Sequence, residues 1–181
     1  MSKTEDRTIR PLTAADAGHY WPLRLRALRE EQEAFGSSYE EQSDQSMELV
    51  VARLREQTSG DSFVLGAFQD DELVGIVAFG RETLLKMRHK ANVYQVYVAP
   101  EARGLGLGRQ LMEALLARAR ETPGIEQVLL TVSTTQEAAR ALYASLGFEP
   151  YGLERRALKL PNGKALDEEL MVCWLTEPPA E

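Results

Sequence analysis

The sequence predicts an α/β fold in which helices flank a mixed, mostly antiparallel central sheet of about seven strands. Strand-like and helix-like segments alternate in the middle of the chain, which favours a parallel crossover there. Near both ends strand-like segments follow one another, which favours antiparallel pairing. A chain of 181 residues supports one hydrophobic core, so we predict a single domain over 1–176 and a flexible tail over 177–181.

The first elements are predicted from caps and apolar periodicity. Thr8 to Leu12 is typical of a short strand, and Thr13 is a candidate N-cap for a helix over Ala14 to Arg29. Residues 33–46 are polar with two aromatic side chains, which predicts a loop. A second helix is predicted over Met47 to Gln57. Its predicted inner face consists of Leu49, Val50, Arg53 and Leu54.

The next segments are rich in β-branched and aromatic residues. Ser62 to Gln69 and Leu73 to Thr83 flank the polar break Asp70-Asp71-Glu72, which predicts an antiparallel hairpin. Ala91 to Val98 predicts a buried strand. Pro100 ends this strand, because proline cannot donate to the ladder of hydrogen bonds.

Two helices and three strands complete the chain. A helix is predicted from Gly108 to about Glu121, followed by a strand over Gln127 to Val132 and a helix over Gln136 to Leu146. Two last strands lie around Ala157 and Leu170. The apolar residues that predict the helix from Gly108 to about Glu121 are Leu111, Met112, Leu115, Leu116 and Ala119.

Composition narrows the classes of function. A net charge of −7 argues against nucleic acid as a partner, because binding to a phosphate backbone depends on many Lys and Arg contacts. One cysteine and two histidines give little support for a metal site or a disulfide, so we expect neither. No apolar run approaches the roughly 18 residues of a membrane span, and the first residues lack the apolar core of a signal peptide. We therefore expect a cytoplasmic protein with no membrane partner.

A glycine-rich turn separates the strand that ends at Val98 from the helix that follows. The run VYVAPEARGLGLGRQLMEALL contains alternating glycines at positions 104, 106 and 108, between Arg103 and Arg109. The first amides of a helix have no acceptor inside the helix, and the helix dipole is positive there. Glycine allows close approach of an anion, and arginine can donate two hydrogen bonds to a phosphate. The turn therefore predicts a phosphate-binding site.

Other phosphate-binding motifs fit this turn less well. A P-loop needs Lys-Ser/Thr after its last glycine, whereas this chain has Arg109-Gln110. The dinucleotide fingerprint needs G-x-G-x-x-G at the opening of a βαβ unit, whereas this G-L-G-L-G lies mid-chain. A turn without a ligand would not explain three alternating glycines, which are costly in conformational entropy. A nucleotide-dependent enzyme that binds ATP or NAD at this turn is one hypothesis for the function.

The turn resembles the acyl-CoA motif of the GNAT superfamily: Arg or Gln, two residues, Gly, one residue, then Gly or Ala. Arg103, Gly106 and Gly108 fill this motif, and the preceding Val-Tyr-Val-Ala-Pro-Glu is also similar to the family. The later run QEAARALYASLGF resembles the second family region, N-x-x-A-x-x-L-Y-x-x-x-G-F, with Gln136 in place of the usual Asn. The resemblance is strong from about Val93 to Phe148 and implies the GNAT fold.

This resemblance implies that acetyl-CoA is the co-substrate. The turn amides would hold its pyrophosphate, the preceding strand would pair with its pantetheine arm, and Gln136 would hydrogen-bond the arm or that strand. A bulge near Tyr97 would let a backbone N–H polarise the carbonyl. Tyr143 would protonate the departing thiolate, because the ordinary pKa of a phenol, about 10, lies above that of a thiol, about 8.5. The implied donor-binding residues are Val96, Tyr97, Val98, Arg103, Gly104, Leu105, Gly106, Leu107, Gly108, Arg109 and Gln136.

The predicted reaction is transfer of the acetyl group to a primary amine of a small molecule or peptide, by direct attack within a ternary complex. Many GNAT proteins dimerise, so a homodimer is an expectation. The acceptor pocket is predicted to include Phe35, Ser37, Ser38 and Tyr39. The alternative is a non-catalytic acyl-CoA-binding sensor or partner-binding module on the same fold.

The general base is not evident in the sequence. GNAT enzymes often carry a Glu in the strand before the motif, where this chain has Gln95, which cannot accept a proton. Glu40, Glu41 and Glu82 are candidates by location alone, and a water chain or a neutral substrate would also serve. The run at 167–169, Asp-Glu-Glu, is expected to be a solvated group of charges.

Overall fold

A computed structural model describes residues 7–58 and 61–176. The tail predicted at 177–181 lies outside the described residues. The strands are β1 Arg7–Pro11, β2 Phe63–Gln69, β3 Glu72–Arg81, β4 Lys90–Val98, β5 Gln127–Ser133, β6 Glu149–Lys159 and β7 Ala165–Trp174. The helices are α1 Ala17–Glu30, α2 Tyr39–Ser43, α3 Met47–Thr58, α4 Leu107–Glu121 and α5 Glu137–Ser145. Short 3₁₀ turns lie at Ala14–Asp16, Leu85–Met87 and Pro100–Ala102.

The strands form one seven-stranded sheet in the order β1-β2-β3-β4-β5-β7-β6. Strands β4 and β5 pair in parallel, and the five other neighbouring pairs are antiparallel. Helix α4 makes the connection between the two parallel strands, as such a pair requires a crossover. The predicted α/β class and the mixed, mostly antiparallel sheet are confirmed.

Two irregularities of β4 open the sheet at its centre. Ile76 of β3 faces Tyr97 and Ala78 faces Tyr94, so β4 carries one more residue than its partner between these pairs. This is a β-bulge, and within it Gln95 has a positive φ of 57°, which is unusual for a residue with a side chain. Pairing between β4 and β5 includes Asn92 with Leu129 but none of the later residues of either strand. The two strands therefore separate towards their C-terminal ends.

The core lies between the sheet and the helices, and α4 supplies much of it. All five apolar residues that predicted α4 are buried, which confirms its inner face. The prediction for α3 was wrong at Leu49, which is 48% exposed, whereas Val50 and Leu54 are buried. Helical spacing admits two adjacent faces here, and only packing selects between them.

The N-terminal elements depart in detail from the sequence expectation. Thr13 begins the short 3₁₀ turn, and α1 starts at Ala17 rather than Ala14. The predicted loop over 33–46 contains the five-residue helix α2. Its N-cap is Ser38, whose hydroxyl accepts a hydrogen bond from the Glu41 amide at 3.2 Å. This local cap stabilises a helix too short to show in apolar periodicity.

Candidate active site

A cleft of about 910 Å³ opens where β4 and β5 separate. Its walls are the C-terminal halves of these strands, the starts of α4 and α5, and the segment 34–37 that follows α1. This volume is in the range of cavities that hold a small-molecule ligand. Because the starts of α4 and α5 form two of its walls, the cleft lies beside both family motifs, the glycine-rich turn and the QEAARALYASLGF run.

Residues 104–109, here called the amide turn, line one end of the cleft, with Leu105 as the exception. No backbone N–H of the amide turn donates to another described residue, and the first amide that does so is that of Gln110, to the Gly106 carbonyl at 3.0 Å. Gly104 and Gly106 have φ of 76° and 77°, which favours glycine because a Cβ is strained there. Leu105 instead packs against the hydrophobic core. The turn thus presents unpaired donors at a positive helix end.

Arg103 precedes the amide turn and Arg109 is its last residue, and each has other contacts. Nη2 of Arg103 lies 2.7 Å from a carboxylate oxygen of Glu31, and its Nε donates to the Val98 carbonyl at 3.0 Å. Nη2 of Arg109 donates to the Ser145 hydroxyl at 2.6 Å. Arg103 therefore ties the turn to β4 and to the end of α1, and both positive charges stay beside the turn.

The β4 wall contains the predicted donor-binding residues Val96, Tyr97 and Val98. The Tyr97 side chain is buried, and its hydroxyl donates to a carboxylate oxygen of Glu30 at 2.8 Å. Burial, and then the bond to Glu30, raises the pKa of Tyr97. Tyr97 is thereby fixed in place, and its backbone beside the bulge remains next to the cleft.

The α5 wall brings Gln136, Ala139 and Tyr143 together along the cleft. Gln136 is the N-cap residue of α5 rather than its first helical residue. Tyr143 is 6% exposed and its ring centroid lies 6.0 Å from that of Phe148. Burial raises the pKa of Tyr143, so the phenol is protonated at neutral pH. Its hydroxyl makes no hydrogen bond with another residue in the described part of the chain.

The predicted acceptor residues divide into two groups. Phe35 and Ser37 line the cleft, whereas Ser38 and Tyr39 do not. Ser38 caps α2, and the Tyr39 ring lies 4.4 Å from an α1 guanidinium. Their proximity in sequence to Phe35 was misleading, because the side chains of Ser38 and Tyr39 contact α2 and α1 instead of the cleft.

None of the carboxylates proposed as the base lines the cleft. Glu40 and Glu41 lie on α2, and Glu82 accepts a hydrogen bond from the Asn92 amide at 2.7 Å. Glu168 of β7 does line the cleft, and burial, then the charge of Glu154, raises its pKa.

The expectation that residues 167–169 form a solvated run was therefore wrong. Glu169 forms two hydrogen bonds of 3.0 Å with Arg140, and Asp167 accepts from the Arg156 amide at 2.7 Å. Neighbours in a strand point to opposite faces, so three adjacent acids reach different partners. That alternation was the sequence signal that could have separated Glu168 from Glu169.

Arg24 is another charged cleft residue that sequence reasoning missed. It lies on α1 with a buried guanidinium, although charged residues in an amphipathic helix usually face solvent. Within residues 7–58 and 61–176, no group of His, Cys, Asp and Glu is arranged to hold a metal ion. No helix in the same ranges is long and apolar enough to cross a membrane.

Comparison with known proteins identifies the family. Residues 25–148, more than half of the chain, match the family model described as Acetyltransferase (GNAT) family. The chain belongs to the GNAT family. The fold and the enzyme class predicted from the two motifs are thus confirmed, and this GNAT protein is an acyltransferase.

Curated relatives carry the names of acetyltransferases. The GNAT protein is 35% identical over 111 residues to N-alpha-acetyltransferase RimI of Mycobacterium tuberculosis, a match that covers 61% of this chain and 67% of the relative. It is 54% identical over 56 residues to mycothiol acetyltransferase of Thermobispora bispora, which covers 31% of this chain but 19% of that protein. The second relative is thus much longer than the shared segment.

A solved structure supports the fold over nearly the whole chain. An acetyltransferase of the GNAT family from Streptococcus pneumoniae has a TM-score of 0.86 and 25% identity, over 93% of this chain and 99% of that one. The structure of yncA from Salmonella typhimurium, which contains acetyl-CoA, has a TM-score of 0.83 at 23% identity, over 97% and 98%. Because its identity to this chain is 23%, the similarity to yncA shows the fold alone.

Proposed function

We propose that this GNAT protein transfers an acetyl group from acetyl-CoA to a primary amine, by direct attack while both substrates are bound. One observation carries the proposal: the unpaired donors of the amide turn face a cleft that continues between β4 and β5. A long anionic thioester fits such a site, with its phosphates at the helix start and its arm between the strands. The name N-alpha-acetyltransferase of one relative supports an amine acceptor.

The proposed donor contacts follow from the position of each group. The amides of the turn bind the pyrophosphate, and Arg109 supplies positive charge beside it. Val96 to Val98 offer backbone groups that no β5 residue uses, and these pair with the pantetheine arm. Gln136, at the opposite wall, donates its side-chain amide to the arm.

The chemistry requires a polarised carbonyl, a neutral nitrogen and a protonated leaving group. A backbone N–H of the bulge near Tyr97 polarises the thioester carbonyl. The amine nitrogen forms the new C–N bond while the C–S bond breaks. Tyr143 then donates its proton to the departing sulfur. The raised pKa of Tyr143 keeps the phenol protonated until this step.

We propose Glu168 as the group that accepts the proton of the amine. Glu168 and Glu31 are the carboxylates of the described cleft lining, and Glu31 is bound to Arg103. The raised pKa of Glu168 brings its basicity closer to neutral pH, where a general base is most effective. Glu168 thus replaces Glu40, Glu41 and Glu82 as the candidate.

The test is a thiol-release assay with purified protein, acetyl-CoA and a panel of primary amines. Release of free coenzyme A that depends on an amine, with the acetylated amine detected by mass spectrometry, is the expected result. Tight donor binding without release across the panel would refute the proposal and favour the non-catalytic sensor. Preferential binding of ATP or NAD over coenzyme A in calorimetry would instead favour the nucleotide-dependent hypothesis.

A further inference from the structure

Arg24 is a buried cation in the wall of the cleft, and two of its nitrogens have no hydrogen-bond partner. The residue is 4% exposed, and neither its Nε nor its Nη1 donates a hydrogen bond. No carboxylate of the described residues forms an ion pair with it. Arg103, on the same cleft, is by contrast paired with Glu31. Arg24 therefore has donors available for a ligand.

An unpaired buried charge is unfavourable for the folded protein. Burial lowers the pKa of the Arg24 guanidinium, and the charge of Arg53 acts in the same direction. A guanidinium nevertheless stays protonated at neutral pH, so the charge is not relieved by deprotonation. A buried ion needs a counter-ion and hydrogen bonds to compensate for lost hydration. A bound anion would supply both.

The groups around Arg24 leave its in-plane donors available. Its Cζ lies 4.8 Å from the centroid of the Phe35 ring, which covers one face of the guanidinium. The Tyr20 hydroxyl donates to Oε1 of Gln95 at 2.8 Å, which orients the amide and leaves its Nε2 hydrogens as separate donors. Arg24 and Gln95 both line the cleft, Gln95 from the bulge. Two sets of N–H donors therefore lie where β4 is irregular.

This cluster is separate from the proposed phosphate site. Arg24 belongs to α1 and lies against Phe35 in the segment that follows that helix. The amide turn leads into α4, and Arg103, which precedes the turn, is already bound to Glu31. A donor held at the turn and along β4 leaves the α1 side of the cleft to the second substrate.

We infer that Arg24, assisted by Gln95, binds a carboxylate of the acceptor, so that the acceptor is a small amine that carries a carboxylate, as in a free amino acid. A planar guanidinium matches a carboxylate with two parallel hydrogen bonds. The Glu168 carboxylate on the same cleft is suited to the amino group. This inference rests on the proposed acetyl transfer to an amine and specifies its acceptor.

The test compares free α-amino acids with the corresponding α-amino amides, which lack the carboxylate charge. For the best acceptor, kcat/KM of the wild type should favour the acid by about 100-fold, as expected for loss of one partner of a buried charge pair. Arg24→Met should reduce this ratio to about one, mainly by lowering the rate with the acid. Arg24→Lys should recover part of the ratio, because a point charge replaces the planar fork.

Two controls separate recognition from structure. Arg53→Met removes the neighbouring positive charge, whose side chain donates to Gln45 and lies outside the cleft lining, and should keep the acid preference. Arg24→Met should not lower Tm, because it removes an uncompensated buried charge. A lower Tm for Arg24→Met with an unchanged acid-to-amide ratio would assign Arg24 a structural role and overturn the inference.

The outcomes also distinguish this inference from the proposed function. Equal turnover of acids and amides by the wild type would overturn the inference and leave acetyl transfer intact, with peptide N-termini as the next acceptors to test. If no amine is acetylated, calorimetry with coenzyme A plus N-acetyl amino acids or their amides decides the carboxylate site alone. Preference for the acids that Arg24→Met abolishes would support it, and equal affinity would refute it.

Discussion

Replacing Tyr143 with phenylalanine should stop proton delivery to the leaving thiolate while leaving the fold intact. The substitution removes one hydroxyl, which makes no hydrogen bond with another described residue. The ring itself, packed beside Phe148, is retained. The free energy of unfolding should therefore change by less than about 0.5 kcal/mol, which is a shift of about 2 °C or less in Tm.

The effect on catalysis should be much larger than the effect on stability. Loss of a general acid lowers kcat by about 100-fold, which corresponds to about 3 kcal/mol of transition-state stabilisation. The Kd of acetyl-CoA should be unchanged, because the amide turn and β4 supply the proposed donor contacts. Because burial raises the pKa of Tyr143, kcat of the wild type should show no loss from this group between about pH 7 and 10.

The assay combines steady-state thiol release with saturating acceptor, calorimetry of donor binding and thermal unfolding. Tyr151→Phe is the matched control, since Tyr151 is 56% exposed on β6 and lies outside the cleft lining. A kcat within twofold of the wild type would refute the acid role of Tyr143. A fall in Tm of more than about 5 °C would show that the hydroxyl has a structural role, contrary to the reasoning from its missing partner.

Three further predictions concern the base, an ion pair and the amide turn. Glu168→Gln should lower kcat about 100-fold and remove the acid limb of the pH profile, which in the wild type rises through the raised pKa of Glu168. Asp16→Asn should cost about 1 to 2 kcal/mol in urea unfolding at pH 7, since Arg10 lowers the pKa of Asp16 from 3.8 to about 2. That difference is complete above about pH 4 and lost as pH falls through about 2, so a constant difference down to pH 2 would contradict it. Gly106→Ala should lower the free energy of unfolding by about 1 kcal/mol, because the φ of Gly106 is 77°. Gly108→Ala should leave the free energy of unfolding unchanged and weaken donor binding about tenfold. Equal stability of the two variants would refute the strain argument.

Elements whose cause is local were predicted well from the sequence. The amide turn is an example, because glycines with positive φ and a helix start require no distant partner. The β2–β3 hairpin is another: Asp70 and Asp71 both have positive φ, as a two-residue turn of matching twist requires. Helix α4 followed from its apolar spacing alone.

Predictions that depended on which surface a residue meets were less successful. Leu49 has the spacing of an inner residue but faces solvent, and Tyr39 is near Phe35 in sequence but not beside the cleft. Glu168 was assigned to a solvated run, because adjacent acids are indistinguishable until a strand separates them by face.

The sequence by itself determined that this chain has a mixed sheet, a glycine-rich turn between a strand and a helix, and the two motifs of a GNAT acetyltransferase. These features depend on spacing, glycine conformation and helix ends, all of which act over a few residues. Only the tertiary structure decided that Arg24 of α1, Gln95 of β4 and Glu168 of β7 share one cleft. The burial of these side chains, their ion pairs and their pKa shifts depend on segments that are far apart in sequence and together exclude water from one site. A local sequence pattern does not show which distant segments come together.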